Sequence, residues 1–454
     1  MKTQPKSKTI LSSIFSSAFL LSSIGQATMN PSAPRGEKIV SHTVAGKKAE
    51  MCVIPRHFEG ADFSADDRSD EQKLCGLNAY VNTAICGKTA STNPGIEFYS
   101  IPDGMSRAQV IAGGCDLPTN KKLAKYKLST SCSYAPSILG YYHLSRILGD
   151  VANVPVAVVR TFDLQSHKAI ARQTLNSIKD RTSLIWQTWA SLNDVLVTGR
   201  GHKRADNIFT SDYDQSYGAL QENPRGEEKY SEFFNKAPAG ISRAAAFGAN
   251  NPIYKTLKRT ERIERIIGTS FTPENVEKFI QLRDAAEMIV LDTILSQQDR
   301  FGNVHFVKKY VYLDNQTQDV NGNPKAESKK KLTPAEIASF RAVQVREMML
   351  KDNDCGVTKT NAAADAKLLS GVAHMRPDTY QRLQQLAAAI DSNEVKNYFM
   401  SEALFTESDY SKVLRPNLKS VALQLKNACR AGKLQLDLDL AAHFSGRPVN
   451  VSCD

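Results

Sequence analysis

No two cysteines in this sequence are spaced Cys-x-x-Cys, and no cysteine–histidine cluster occurs at zinc-ligand spacing, which argues against a structural zinc site. Three catalytic signatures are also missing: the Gly-x-Ser-x-Gly elbow, the His-Glu-x-x-His metal helix and the Gly-x-Gly-x-x-Gly dinucleotide fingerprint. Cys86-Gly87-Lys88-Thr89 ends like a phosphate-binding P-loop, but the first glycine that motif requires falls on Asn82, so the match reads as chance. The eight histidines are dispersed, and His143, within an apolar helical pattern, reads as a packed core residue. There is no internal repeat of fixed period. After residue 27 no segment approaches the length and apolarity of a membrane span.

What is present is a globular composition, 41% hydrophobic over 454 residues, enough for one large two-lobed domain or two ordinary ones. Lys2, Lys6 and Lys8 precede an uncharged run from Thr9 to Ala27 that closes on Gly25-Gln26-Ala27, the pattern of a secretory signal cut after Ala27. Loss of those three lysines takes the formal charge from +11 to +8. All eight cysteines lie beyond the cut: Cys52, Cys75, Cys86, Cys115, Cys132, Cys355, Cys429 and Cys453. An even count in an exported chain predicts disulfides, up to four, with connectivity left open. Asn315-Gln316-Thr317 and Asn450-Val451-Ser452 are glycosylation sequons if the host is eukaryotic.

Residues 28–94 read as a polar tail followed by a cysteine-rich extension. Gly95–Ile101 and Ala108–Ala112 read as strands around the Pro102-Asp103-Gly104 turn, and Gly113-Gly114 as a second turn. Leu123–Leu128 reads as a strand with Lys125 and Lys127 on one face. Ala135–Leu148 has helical apolar spacing and Val154–Arg160 is a β-branched strand. Pro273–Gln297 reads as a long helix capped by Thr272. His305–Leu313 and Val343–Leu350 read as strands, Asp314–Lys331 as a polar loop, and Arg376–Ala389, Val395–Phe405 and Leu414–Ala431 as helices.

Two blocks carry chemistry. Leu291–Phe306 places Asp299 and Asn303 four residues apart in a turn after the long helix, and Met348–Val357 places Asp352 after a hydrophobic strand. An acid that orients a hydroxyl, with an amide and a second acid holding a hard divalent cation, is what phosphoryl transfer from ATP requires. The blocks HLSRILGDVANVPVAVVR, LDTILSQQDRFGN and LKDNDCG, in that order, resemble the secretory-pathway kinases of the Golgi casein kinase and Four-jointed type, and more distantly HipA-like and phosphoinositide-kinase catalytic domains.

The resemblance covers roughly residues 95–430. It implies an α+β, two-lobed kinase-like fold with a disulfide-stapled N-terminal extension, a small lobe over residues 95–165 and a mainly helical large lobe over residues 166–454. It implies Asp299 as the catalytic carboxylate that accepts or orients the substrate hydroxyl, with Arg300 supporting the catalytic loop, and Asn303 and Asp352 as ligands to Mg or Mn. Asp354 is a rival to Asp352, because this chain reads Asp-Asn-Asp where the family has Asp-Asn-Gly. Lys127 or Lys125 corresponds to the lysine that contacts the phosphates of ATP. The implied activity is an exported, metal-dependent phosphotransferase acting on a hydroxyl of a protein or glycan, with no nucleic-acid partner and no retained membrane span. One departure stands out: the helix after the lysine strand should carry a Glu, yet Ala135–Leu148 has no acid and the matching slots hold Ser137 and Ile138. No glycine-rich phosphate loop is evident either. Both departures make a catalytically inactive, binding or scaffold version of the fold the alternative expectation.

Overall fold

A computed structural model describes residues 29–454, apart from residues 34, 44, 131, 235, 320–321 and 447–450. The expected export signal therefore lies outside the described residues, as does Asn450 of the second sequon. Seven strands form one antiparallel sheet: β1 (Lys38–His42), β2 (Glu50–Ile54), β3 (Ala84–Gly87), β4 (Gly95–Tyr99), β5 (Lys122–Lys127), β6 (Ala157–Asp163) and β7 (Gln215–Glu222). Their spatial order is β1-β2-β6-β7-β5-β4-β3. The cysteine-rich stretch thus contributes three strands to this sheet. Two disulfides staple it: Cys52–Cys75 joins β2 to α1 (Ala65–Gly76), and Cys86–Cys115 joins β3 to the turn after α2 (Arg107–Ala112).

The α2 segment corrects the reading of Ala108–Ala112 as a strand. Ser106 Oγ accepts from the Gln109 N–H while Gln109 Oε1 accepts from the Ser106 N–H at 2.7 Å, a reciprocal cap that starts a helix whatever the β propensity of the next residues.

The helix α3 (Ala135–Ile147) is buried at every position. Its polar side chains find partners inside the fold: Ser145 Oγ donates to the Val151 carbonyl, Arg146 pairs with Asp67 at 2.7 Å, and His143 Nδ1 meets the Tyr398 hydroxyl at 2.8 Å, while His143 Nε2 is buried without one. The opposite side of the sheet carries α4 (Leu164–Ser177), whose neighbour is α5 (Leu184–Thr198).

Thr272 caps the long helix Pro273–Ile294 by accepting from the Asn275 N–H, and thirteen of its last fifteen residues from Ile280 onward are buried. A second sheet follows: β8 (Glu228–Lys229), β9 (His305–Gln318), β10 (Pro324–Lys329) and β11 (Val343–Met349), with β9 central between β10 and β11. The ladder over β9 and β10 replaces the loop expected for Asp314–Lys331. Its outer half is an exposed two-stranded ribbon, so no apolar alternation marks it in the sequence. The C-terminal part is helical, with Pro377–Ala389, Asn393–Glu402 and Arg415–Arg430 as its main helices, and Cys429–Cys453 ties down the end of the chain. One continuous apolar core runs through both sheets and the helices.

Candidate functional site

The antiparallel pairing of β9 with β11 brings the two chemical blocks together. His305 and Met349 are register partners, so the turn that enters β9 and the turn that leaves β11 lie at the same end of the ladder. The backbone cross-links them further: the Gln298 N–H donates to the Cys355 carbonyl at 3.2 Å, and the Val357 N–H to the Leu295 carbonyl at 2.5 Å.

In the first turn the Asn303 N–H donates to the Arg300 carbonyl at 2.9 Å. Gly302 takes φ +125°, and a Cβ there would lie 2.8 Å from Arg243 Nη1, so both backbone and space call for glycine. Asp299 faces solvent on one side, with Arg243 Nη1 at 3.7 Å. Burial of its other side raises the pKa of its carboxyl; Arg243 opposes that, and the charges of Asp354 and Asp352 add to it. Asn303 Nδ2 donates to the Asp299 carbonyl at 3.3 Å, leaving its own Oδ1 open.

Arg300 points the other way. It is 0% exposed; its guanidinium donates to Asp292 at 2.9–3.2 Å, to the Lys351 carbonyl at 2.6 Å and to Asn353 Oδ1 at 2.5 Å. Tyr141 of α3 donates to the same Asp292 at 2.6 Å. Arg300 thus binds the two turns to each other and cannot reach a substrate.

The second turn meets the lysine strand. Asp352 sits at φ +56°, a conformation Asp tolerates better than most residues, and its side chain is half-buried. Asp354 is buried and takes the Lys127 ammonium at 2.8 Å, while Asp352 lies 3.7 Å from the same nitrogen. Burial opposes the charge on all three groups, but their mutual attraction outweighs it: Lys127 is held above its ordinary pKa, and Asp352 and Asp354 below theirs. Asn93, in the β3–β4 loop, also donates to Asp354 Oδ2 at 3.2 Å. Lys125, on the same face of β5, forms no ion pair with a described residue; burial and the neighbouring charge of Lys351 push its pKa down to about 8. Lys351 is itself paired with Glu227 at 2.5 Å.

The slot of the expected helix acid, Ser137, donates to the Asn353 carbonyl at 2.5 Å and makes no contact with Lys127. The disulfide Cys132–Cys355 closes the arrangement, joining the segment after β5 to the residue after Asp354 across 223 positions. All eight cysteines are paired.

Sequence reasoning did not single out Asp292, Arg243, Asn93 or Lys88. Asp292 carried a signal, an acid inside the apolar run Met288–Leu295 eight residues before Arg300. Arg243 and Asn93 carried none. Among the described residues no group of three or more His, Cys, Asp or Glu side chains could hold a metal, and no helix is long and apolar enough to cross a membrane.

No family model matches the chain, and no curated protein matches it. Among solved structures it is similar to hydra Fam20 with sugar, at 13% identity and a TM-score of 0.41, over 78% of this chain and 88% of that one. It is also similar to the Golgi casein kinase, at 10% identity and 0.42, over 82% of this chain and 79% of the other. For the Golgi casein kinase with Mn/ADP bound the values are 11% and 0.41, over 80% and 76%. The Golgi casein kinase type that the sequence blocks resemble is thus met again among solved structures. The chemistry proposed below rests on this chain's own residues.

Proposed function

We propose that this protein is a metal-dependent phosphotransferase that moves the γ-phosphoryl group of ATP to a hydroxyl of a protein or glycan. The observation that carries the reading is the contact of Lys127 with Asp354 and Asp352, which unites residues over two hundred positions apart. Asp299 accepts the proton of the attacking hydroxyl as the new O–P bond forms and the bond from the γ-phosphorus to the bridging oxygen breaks, with ADP leaving. Its raised pKa, caused by burial, brings it toward the working range of a general base. Lys127 anchors phosphate oxygens. Arg300 is a positioning residue, since it holds both turns without facing the cleft.

The donor set fits Mg²⁺ or Mn²⁺ sparingly. Asp352 and the open Oδ1 of Asn303 are oxygen donors of the kind such ions take, and Mg²⁺ is commonly held by one or two carboxylates with phosphate oxygens and water completing the shell. When bound, the ion would neutralise phosphate charge. Asp354, whose Oδ2 takes both Lys127 and Asn93, serves as the lysine's counter-ion, the task the missing helix acid leaves open. Four disulfides suit an oxidising compartment, in keeping with export.

The test is incubation of the mature protein with Mn²⁺ or Mg²⁺ and γ-labelled ATP. Label should move to the protein itself or to an added hydroxyl acceptor, and Asp299→Asn should stop transfer while leaving the melting temperature unchanged. Undiminished transfer in that variant would remove Asp299 from the reaction. No melting shift of the wild type with ATP and Mn²⁺ would remove the nucleotide site itself.

A further inference from the structure

The hairpin from β3 to β4 turns through residues 88–94 at the end of the sheet where Lys127 lies, because Gly95 is the register partner of Lys127. Its first residue is fixed at the backbone: the Lys88 N–H donates to the Gly95 carbonyl at 2.9 Å, and Trp189 Nε1 donates to the Lys88 carbonyl at 2.8 Å. A Cβ on Gly87 would lie 1.8 Å from Thr174 Oγ1, so α4 presses directly on the hairpin base. Asn93 fixes the far end of the loop to Asp354.

The Lys88 side chain is 9% exposed, yet its ammonium makes no hydrogen bond or ion pair with any described residue. The charges that act on it are Lys127, Lys125, Asp352 and Asp354, the members of the cleft. Burial, with the repulsion of the two lysines, pushes it down to about 8, the value Lys125 also reaches. Lys88 is largely buried and Lys125 half-buried, and neither ammonium has a counter-ion at ion-pair distance among the described residues, an arrangement that favours a ligand able to supply the missing negative charge.

We propose that Lys88, from the hairpin, and Lys125, beside Lys127 on β5, complete a polyphosphate site with Lys127, taking the terminal phosphate oxygens of a nucleoside triphosphate at the loop of residues 88–94. The inference rests on the reading of the cleft as a nucleotide site and adds to it the residue that stands in for a glycine-rich loop. A glycine-rich loop offers peptide N–H groups to phosphate. Residues 88–94, KTASTNP, contain no glycine, and a point charge from lysine serves the same anion.

Calorimetric titration of the metal-free protein with inorganic tripolyphosphate, and separately with ATP, tests this on the wild type, Lys88→Gln, Lys88→Arg, Lys127→Met and the exposed control Lys330→Gln. Lys88→Gln should weaken both ligands by roughly ten- to a hundredfold, the worth of one charge-assisted hydrogen bond, with Lys88→Arg recovering part of it and Lys330→Gln unchanged. Because an unpaired buried charge is removed, Lys88→Gln should melt at or above the wild-type temperature, which separates lost binding from lost folding. Wild-type affinity for tripolyphosphate should also fall as pH rises through about 8. Undiminished tripolyphosphate binding in Lys88→Gln, with binding lost in Lys127→Met, would overturn the role of Lys88 while leaving the nucleotide reading intact. Tripolyphosphate binding that depends on Lys88, with no binding of ATP either with or without Mn²⁺, would uphold the anion site and refute the nucleotide reading. A wild type that binds neither, with or without Mn²⁺, overturns both.

Discussion

Neutralising Asp354 isolates the interaction on which the site depends. At 2.8 Å, with both side chains at most 4% exposed, the Lys127–Asp354 attraction is about 6 kcal/mol at an effective dielectric of about 20. Desolvation takes back several kcal/mol of that, so the pair is worth little against an apolar replacement, whereas breaking it costs about 3–5 kcal/mol. Asp354→Leu leaves Lys127 with only the more distant, half-buried Asp352 at 3.7 Å, and should lose about 3 kcal/mol or more. Lys127→Met should lose a similar amount, because Asp354 would then keep only the Asn93 donor. The double variant Lys127→Met/Asp354→Leu should lose far less than the two single losses combined, with a coupling of at least about 2 kcal/mol. Urea denaturation of the four proteins measures each value at constant disulfide state. Losses that simply add, within about 0.5 kcal/mol, would show that the two residues do not act as a pair.

Arg300→Lys cannot reproduce the guanidinium fork that grips Asp292, the Lys351 carbonyl and Asn353; it should cost about 3 kcal/mol or more and disable transfer with Asp299 in place, and a variant as stable and active as wild type would contradict the positioning role. Removing the Cys132–Cys355 bridge by paired serine substitution should cost about 5 kcal/mol in the chain-entropy estimate, against about 3 kcal/mol for Cys429–Cys453, because the sequence separations are 223 and 24; equal losses in urea would refute the ordering. The buried imidazoles of His42, His143 and His167 are pushed down, chiefly by burial, to about 4, 3 and 3. Their folded-state values lie below the unfolded value of about 6.5, so the unfolded chain binds protons first and stability falls as pH drops below that value, by up to about 4 kcal/mol per unit for the three together. A melting temperature that stays flat between pH 6.5 and 5 would refute it.

The long helix and the strands flanking the site were legible because their signals are local: Thr272 caps the one, and β-branched or apolar runs mark β6, β9 and β11. The two acid-bearing turns were legible for the same reason, as fixed spacings at the ends of strong elements. Their union was not, since it depends on the register of β9 against β11 and on a disulfide 223 residues long. Lys88 shows the limit most clearly. Cys86-Gly87-Lys88-Thr89 is no P-loop, since Gly87 ends a strand and no helix follows before β4, and so the motif was rightly discounted. Its lysine nevertheless belongs to the cleft, because the hairpin it starts lies beside β5, a fact of sheet order that no window of sequence contains.

The departures from the kinase pattern compensate one another physically. A glutamate at position 137 would have no room or purpose: α3 is buried throughout, and Ser137 already bonds the Asn353 carbonyl, so the helix packs directly on the turn that bears the acids. The counter-ion of Lys127 is therefore carried by that turn as Asp354, at the position where the family pattern has glycine. Lys127 and the two acids of that turn then form a single cross-linked unit, tied by the ion pair, by the Tyr134 N–H on the Asp354 carbonyl at 2.7 Å, and by Cys132–Cys355. An arrangement with the acid on a separate helix can be switched by swinging that helix. Here Asp354 cannot leave Lys127 without dismantling the turn that carries Asp352, so these residues stay together whenever the chain is folded and oxidised.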